Sequence, residues 1–164
     1  MPEEQSVNSE TATATDTPHS SRELELFTPA ELFAPSEQGR ARARQLGMPE
    51  SAGEFSPEQV QSFLKALREF DNISAEEARG YRYDKFPDYA YAGRKAGLLA
   101  DGVSMMLAKI PFHQNAIRQA LDGGKPVSAK ALEQYGIPLP KGYKIFGDVA
   151  APKGYKPKIL YLLS

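Results

Sequence analysis

SPEQVQSFLKALREF, Ser56 to Phe70, is the stretch on which the fold class turns. Ser56 stands three residues before Gln59 with Pro57 between them. That is a capping box with proline at the first helical position. Behind it Val60, Phe63, Leu64, Leu67 and Phe70 recur at spacings of three and four, which places them on one apolar stripe of an amphipathic helix. Such a helix needs other apolar faces to cover it, and the chain on either side supplies them.

Downstream, Asp71-Asn72 interrupts, and Ser74 to Glu77 forms a second capping box that opens a short helix closed by Gly80. From Pro87 to Ile110 the residues Ala92, Ala96, Leu99, Val103, Met106 and Ile110 step by four and three, predicting one long helix. Its small residues Ala92, Gly93, Ala96 and Gly97 permit close approach by another element. Gly93, Gly97 and Gly102 each lower helix preference by up to about 1 kcal/mol, so packing must hold this segment. Pro111 is expected to punctuate. FHQNAIRQALDGGK then predicts a further helix with Phe112, Ala116, Ile117, Ala120 and Leu121 inward, stopped at Asp122-Gly123-Gly124. Ser128 caps AKALEQY, which Gly136 ends.

Past Gly136, Pro138, Pro140, Gly142, Gly147, Pro152, Gly154 and Pro157 exclude helix. Here Pro-Lys-Gly-Tyr-Lys occurs twice, at 140–144 and 152–156. Each Pro-Lys-Gly supplies a fixed φ and then a residue tolerant of positive φ, which is turn chemistry. Tyr143–Phe146 and Lys156–Leu163 follow with strand character, joined through GDVAAPKG as a C-terminal hairpin.

Upstream, Met1 to Ser21 is Ser, Thr, Glu and Ala with almost nothing apolar, and is expected to be disordered. Leu24, Leu26, Phe27, Leu32 and Phe33 then appear abruptly, with Thr28-Pro29 opening a single helical turn that Pro35 ends. Arg40, Arg42 and Arg44 follow before Gly47 and Pro49 break the chain. The expected organisation is an acidic tail and linker over 1–54, with a short apolar segment at 24–33, and one domain over 55–164. That domain is mainly α, a small helical body with a short C-terminal β-hairpin.

Composition narrows the chemistry. The 20 basic and 21 acidic side chains nearly cancel, but residues 1–58 carry eleven acidic groups against four basic, and 59–164 carry ten against sixteen. A basic body behind an acidic tail suits an anionic partner, a tail that folds back onto the same face, or simple charge balancing. Cysteine is absent, which removes disulfides, thiolate metal sites and a cysteine nucleophile. No apolar run reaches membrane-spanning length, and MPEEQSVNSE lacks the basic and apolar regions of a secretory signal. His19 and His113 are the only histidines. His113 reads as a capping or surface group, and ordinary zinc sites are not expected. Gly123-Gly124-Lys125 lacks the upstream glycine and the following Ser/Thr of a phosphate-binding loop. Asp84, Asp88 and Asp101 read as salt-bridge partners of Lys85, Arg94 and Lys95 rather than as a cation site. No catalytic residue, metal or cofactor is expected.

The stretch YRYDKFPDYAYAGRK is the candidate contact surface. It interleaves Tyr81, Tyr83, Phe86, Tyr89 and Tyr91 with Arg82, Lys85, Arg94 and Lys95. Rings between cations suit a single-stranded nucleic-acid platform, the rings stacking on bases and the cations holding phosphates; rings packed at a helix crossing are the other reading. Lys141, Tyr143, Lys144, Lys153, Tyr155 and Lys156 of the repeated turns form a second candidate set for nucleic acid or a partner. Helix, glycine turn, helix and β-ribbon also come in the order of a winged helix-turn-helix, although PLPKGYKIFGD at the recognition position cannot be helical.

Two resemblances add context. Glu23 to Phe27, ELELF, resembles the peptide by which bacterial replication and repair proteins hold the sliding clamp. Leu24, Leu26 and Phe27 match its apolar anchors, and Glu23 stands in place of its glutamine. Packing of this segment on its own domain is the other reading. Ala116 to Tyr143 resembles a segment recurring in the polyvalent proteins of bacteriophages and conjugative elements. It does so through Ile117, Arg118, Ala120, Gly124, Lys125, Pro126, Val127 and Tyr135, with Leu139-Pro140 and Gly142-Tyr143 beyond. That likeness transfers no active-site residue and implies a mobile-element protein acting near DNA or near host systems that attack it. The expectation is a non-enzymatic binding protein in the cytoplasm of a bacterial host, with no membrane association. Its partner would be nucleic acid or a host protein or nucleoprotein complex, and its purpose inhibition of host defence. A DNA-binding accessory protein of replication or transfer, and an enzyme without a recognisable motif, are the alternatives.

Overall fold

A computed structural model describes residues 23–155. The disorder expected of Met1–Ser21 and the strand expected over Lys156–Leu163 lie outside the described residues. Within them the chain is mainly helical, with seven α-helices and a three-stranded antiparallel sheet.

The helices are α1 Pro29–Leu32, α2 Glu37–Gln45, α3 Pro57–Glu69, α4 Ala75–Arg79, α5 Pro87–Ala96, α6 Ala100–Asp122 and α7 Ala129–Tyr135. α3 is the hub. Its Ser56 capping box forms in both directions, at 3.1 Å each way. Val60, Phe63, Leu64 and Ala66 are buried, with α5 and α7 packed against the helix.

The segment read as one helix over Pro87–Ile110 is two. Gly97 adopts φ 74°, its amide and that of Leu98 fold back onto the Gly93 carbonyl, and α5 stops there. The glycine read as a packing residue is a C-terminal cap, a role it fills without steric penalty. Conversely Pro111, expected to break the chain, sits inside α6. An interior proline costs about 3 kcal/mol of helix preference. The cost is tolerated because Met105, Met106, Ile110, His113 and Ile117 form one fully buried face across it. That continuous face turns Phe112 outward, correcting its expected inward place; it is 71% exposed. Gly93 does serve close approach, since a methyl there would overlap Val103.

The packed body begins well before residue 55. Phe33 and Ala43 are fully buried in the same cluster as Phe55 and Phe63, and the Phe33 and Phe55 rings meet edge to face at 5.3 Å. α2 went unread because it buries only Gly39 and Ala43 and carries no large apolar stripe. Two of its three arginines are tied down by carboxylates, Arg40 to Glu54 at 3.2 Å and Arg44 to Glu50 at 3.1 Å.

The strands β1 Val127–Ser128, β2 Tyr143–Phe146 and β3 Val149–Pro152 lie in the order β1-β3-β2. The second hairpin strand is thus VAAP, the stretch read as connector. Phe146 pairs with Val149 across a two-residue Gly-Asp loop with Gly147 at φ 66°, a tight hairpin connection. The repeated Pro-Lys-Gly does form matching turns. Tyr143 N donates to Pro140 O and Tyr155 N to Pro152 O, at 3.1 and 3.0 Å, with Gly142 and Gly154 near φ 90°. Lys153 N bonds Gly142 O at 2.9 Å, so the two turns lie side by side.

Candidate functional site

Helical periodicity sorts the aromatic-basic stretch into an inside and an outside. α5 turns Tyr89 and Tyr91 into the core, 8% and 4% exposed, against Phe63 and Phe70 respectively. Burial raises the Tyr89 hydroxyl to about pKa 12. These two rings therefore offer no face for stacking, which corrects their expected contact role. The alternation that suggested an extended platform falls on a helix, where positions 89 and 91 reach different parts of one packed interior.

Tyr81 is half-buried. With Phe70 and Tyr91 it makes a triangle of rings whose centroids lie 5.6 to 6.4 Å apart, edge-on or tilted. Such pairs contribute about 0.5–1.5 kcal/mol each beyond burial. Its hydroxyl stays at the surface and accepts from Arg94 Nη1 at 3.4 Å. Lys95, one residue on, reaches Glu77 at 3.7 Å and lies 5.4 Å above the Tyr91 ring. Glu77, Gly80, Tyr81, Arg94 and Lys95 thus line an open cleft of about 550 Å³ between α4 and α5. The expected residues brought together here are Tyr81, Arg94 and Lys95.

The loop before α5 carries the remainder. Tyr83 is 87% exposed, with the Arg82 guanidinium 4.7 Å from its ring centroid. Lys85 lies over the half-exposed Phe86. Tyr83 is the one tyrosine of the stretch that presents its ring to solvent, and Arg82 already occupies part of it.

The second candidate set rests on different supports, the hairpin and β1. Lys141 and Lys153 are exposed on the adjacent turns, and Lys144 lies over Phe146 at 5.9 Å. Tyr143 is half-buried and its hydroxyl donates to Lys125 O at 2.7 Å. Tyr155 packs on Phe146 at 5.9 Å, and Lys156 lies outside the described residues. α7 turns Ala131, Leu132 and Tyr135 inward and pairs Lys130 with Glu133 at 3.6 Å, so it offers few groups to base edges.

His113 overturns its expectation most clearly. It is fully buried in mid-helix rather than capping or at the surface. Nε2 meets Leu24 O at 3.1 Å and Nδ1 meets the Tyr135 hydroxyl at 2.6 Å. A carbonyl only accepts, so Nε2 carries the proton and Nδ1 accepts from Tyr135. Burial depresses the imidazole to about pKa 4, and burial likewise pushes Tyr135 upward. The ring pins Leu24–Leu26, a 3₁₀ turn, to α6 and α7. Leu24, Leu26 and Phe27 of the clamp-like peptide are consequently half-buried on their own domain. Sequence gave one signal for this role: His113 falls three residues after Ile110 and four before Ile117, on the buried stripe.

Among the described residues no three of His, Asp or Glu gather to hold a metal ion, and no helix is long and apolar enough to cross a membrane. Comparison with protein-family models, curated proteins and solved structures returns no match.

Proposed function

We propose that the chain is a non-catalytic binding protein of a phage or other mobile element, acting in the bacterial cytoplasm. Its face around Tyr81, Arg94 and Lys95 engages the phosphates of a nucleic acid, free or within a host nucleoprotein. The observation that carries the reading is the open cleft where Arg94 and Lys95, against the single carboxylate of Glu77, stand with the Tyr81 hydroxyl, flanked by the exposed Arg82–Tyr83 pair. The likeness of Ala116–Tyr143 to polyvalent proteins supports the mobile-element context and, with it, interference with host defence as the purpose.

Cations lead this face and rings support it, so binding should depend on backbone charge more than on base identity. The test is the affinity of the full chain for a single-stranded oligonucleotide across a salt series. Each phosphate contact contributes about −0.7 to the log–log slope for single strands. Arg94→Gln and Lys95→Gln should each flatten the slope by about that amount while leaving the unfolding midpoint in place. Unchanged slopes in both variants, or no binding at low salt, would remove nucleic acid as the ligand.

A further inference from the structure

The Leu24–Leu26 turn, α1, α2 and α6 wall a second concavity of about 590 Å³, which shares no lining residue with the cleft between α4 and α5. Leu24, Phe27, Leu32 and Ala108 make its walls apolar, and the exposed ring of Phe112 stands on the same lining. The walls are held in place before any ligand arrives. His113 fixes the Leu24 carbonyl at 3.1 Å, and the Thr28 capping box fixes the start of α1.

Two cations line the same space, Arg42 from α2 and Lys109 from α6. Neither makes an ion pair with a carboxylate among the described residues. On α2 the flanking Arg40 and Arg44 pair with Glu54 and Glu50, whereas Arg42 reaches only the side-chain oxygen of Gln45, at 3.3 Å. Lys109 Nζ donates to Leu32 O at 3.3 Å and lies 5.6 Å from the Phe33 ring centroid. Burial, then the charge of Arg42, holds the Lys109 amine below the usual lysine range. Glu31 is the one carboxylate among the described lining residues, and it faces the α1 cap, where it accepts from Thr28 N at 2.9 Å. Two like charges that repel each other beside apolar walls gain from an anion placed between them.

We propose that this groove binds a single-chain amphiphile of the fatty-acid class. Arg42 and Lys109 hold its carboxylate, and Leu24, Phe27, Leu32 and Phe112 cover its hydrocarbon chain. The volume falls in the range of small-ligand sites, which combine mostly apolar walls with a few placed polar groups. A nucleic acid fits these walls poorly, since its charge is spread along a backbone and hydrocarbon offers it nothing. A recess also suits one free chain better than a bilayer surface, which takes a protruding apolar face.

The test is a titration of the isotope-labelled full chain with sodium decanoate below its micelle concentration, followed by amide chemical shifts. Shifts should saturate and centre on the groove. Each buried methylene is worth about fourfold in affinity, so decanoate should bind at least about tenfold more tightly than hexanoate. Decylammonium, with the same chain and the opposite charge, should not saturate the site. Arg42→Gln and Lys109→Met should each weaken decanoate by about tenfold, the loss of one charged hydrogen bond. Phe112→Ser should weaken it as well, whereas Lys65→Gln, an exposed cation on α3, should not. Arg42 is exposed, so its variant reads binding without a change of fold. The proposal is overturned by an absence of saturable shifts, by equal affinity for decanoate and decylammonium, or by wild-type affinity in both Arg42→Gln and Phe112→Ser. It is equally overturned if the groove answers only to phosphatidylglycerol vesicles, or if the chain is a dimer that Phe112→Ser splits, which would give the face to a bilayer or to a second copy.

Discussion

Lowering the pH should destabilise this protein through one side chain. His113 binds its proton near pH 4 in the fold and near 6.5 when the chain is unfolded. Between those values the unfolded chain holds more protons, so stability is complete above pH 6.5 and falls as the pH drops toward 4. The gradient is about 1.4 kcal/mol per pH unit, and about 3 kcal/mol across the window. The geometry explains the direction. Protonation forces a donor onto Nδ1, where the Tyr135 hydroxyl already donates, and it places a charge where no carboxylate is bonded to the ring. His113→Phe keeps the shape but leaves the Leu24 carbonyl and the Tyr135 hydroxyl without this partner, costing about 1–3 kcal/mol at pH 8. Urea unfolding followed by far-ultraviolet circular dichroism from pH 8 to pH 4 gives both curves. The wild-type advantage should be largest at pH 8 and should shrink through the window. Glu25, raised by burial, titrates with the opposite sign in both proteins and cancels from their difference. Parallel curves would refute the assignment of the acid sensitivity to His113.

Two substitutions probe the packing. Gly93→Ala should destabilise by about 1–3 kcal/mol through overlap with Val103, despite gaining up to about 1 kcal/mol of helix preference. Val103→Ala in the same chain should return part of the loss, and a Gly93→Ala protein with a raised urea midpoint would contradict the close contact. Thr28→Ala removes a reciprocal cap from α1 and should lower global stability by about 1 kcal/mol. An unchanged midpoint would mean that residues 24–33 behave as a linker after all.

What was legible in the sequence followed from strong local chemistry. Ser56, Thr28, Ser74 and Ser128 all cap the helices they precede, because a hydroxyl before an orphan amide leaves few alternatives. The Pro-Lys-Gly turns were equally local. Errors arose where a residue serves two purposes and tertiary packing chooses between them. Gly97 fits both a close helix contact and a left-handed cap. Pro111 breaks a helix unless an apolar face on both sides of it is buried. α2 was hidden because small residues make a buried face without making a hydrophobic pattern. In the aromatic-basic stretch Arg82, Lys85, Arg94 and Lys95 are all exposed. Which rings joined them depended on a helix start at Pro87, which divides the tyrosines between loop and core.

That division changes the physics of the proposed contact. A stacking platform would spend ring area directly on bases, at about 1–3 kcal/mol for each base. Here Phe70 and Tyr91 spend theirs on Tyr81, and Tyr81 in turn gives Arg94 a fixed neighbour. Rings packed on one another in this way bring pre-organisation rather than contact: they hold the cleft's shape before a ligand arrives and reduce the ordering cost of binding. Tyr91→Leu therefore discriminates between the two roles. Support from within predicts weaker binding with an unaltered salt slope, since no phosphate contact is lost. A ring that touched the ligand's bases would instead change the preference among oligonucleotide sequences.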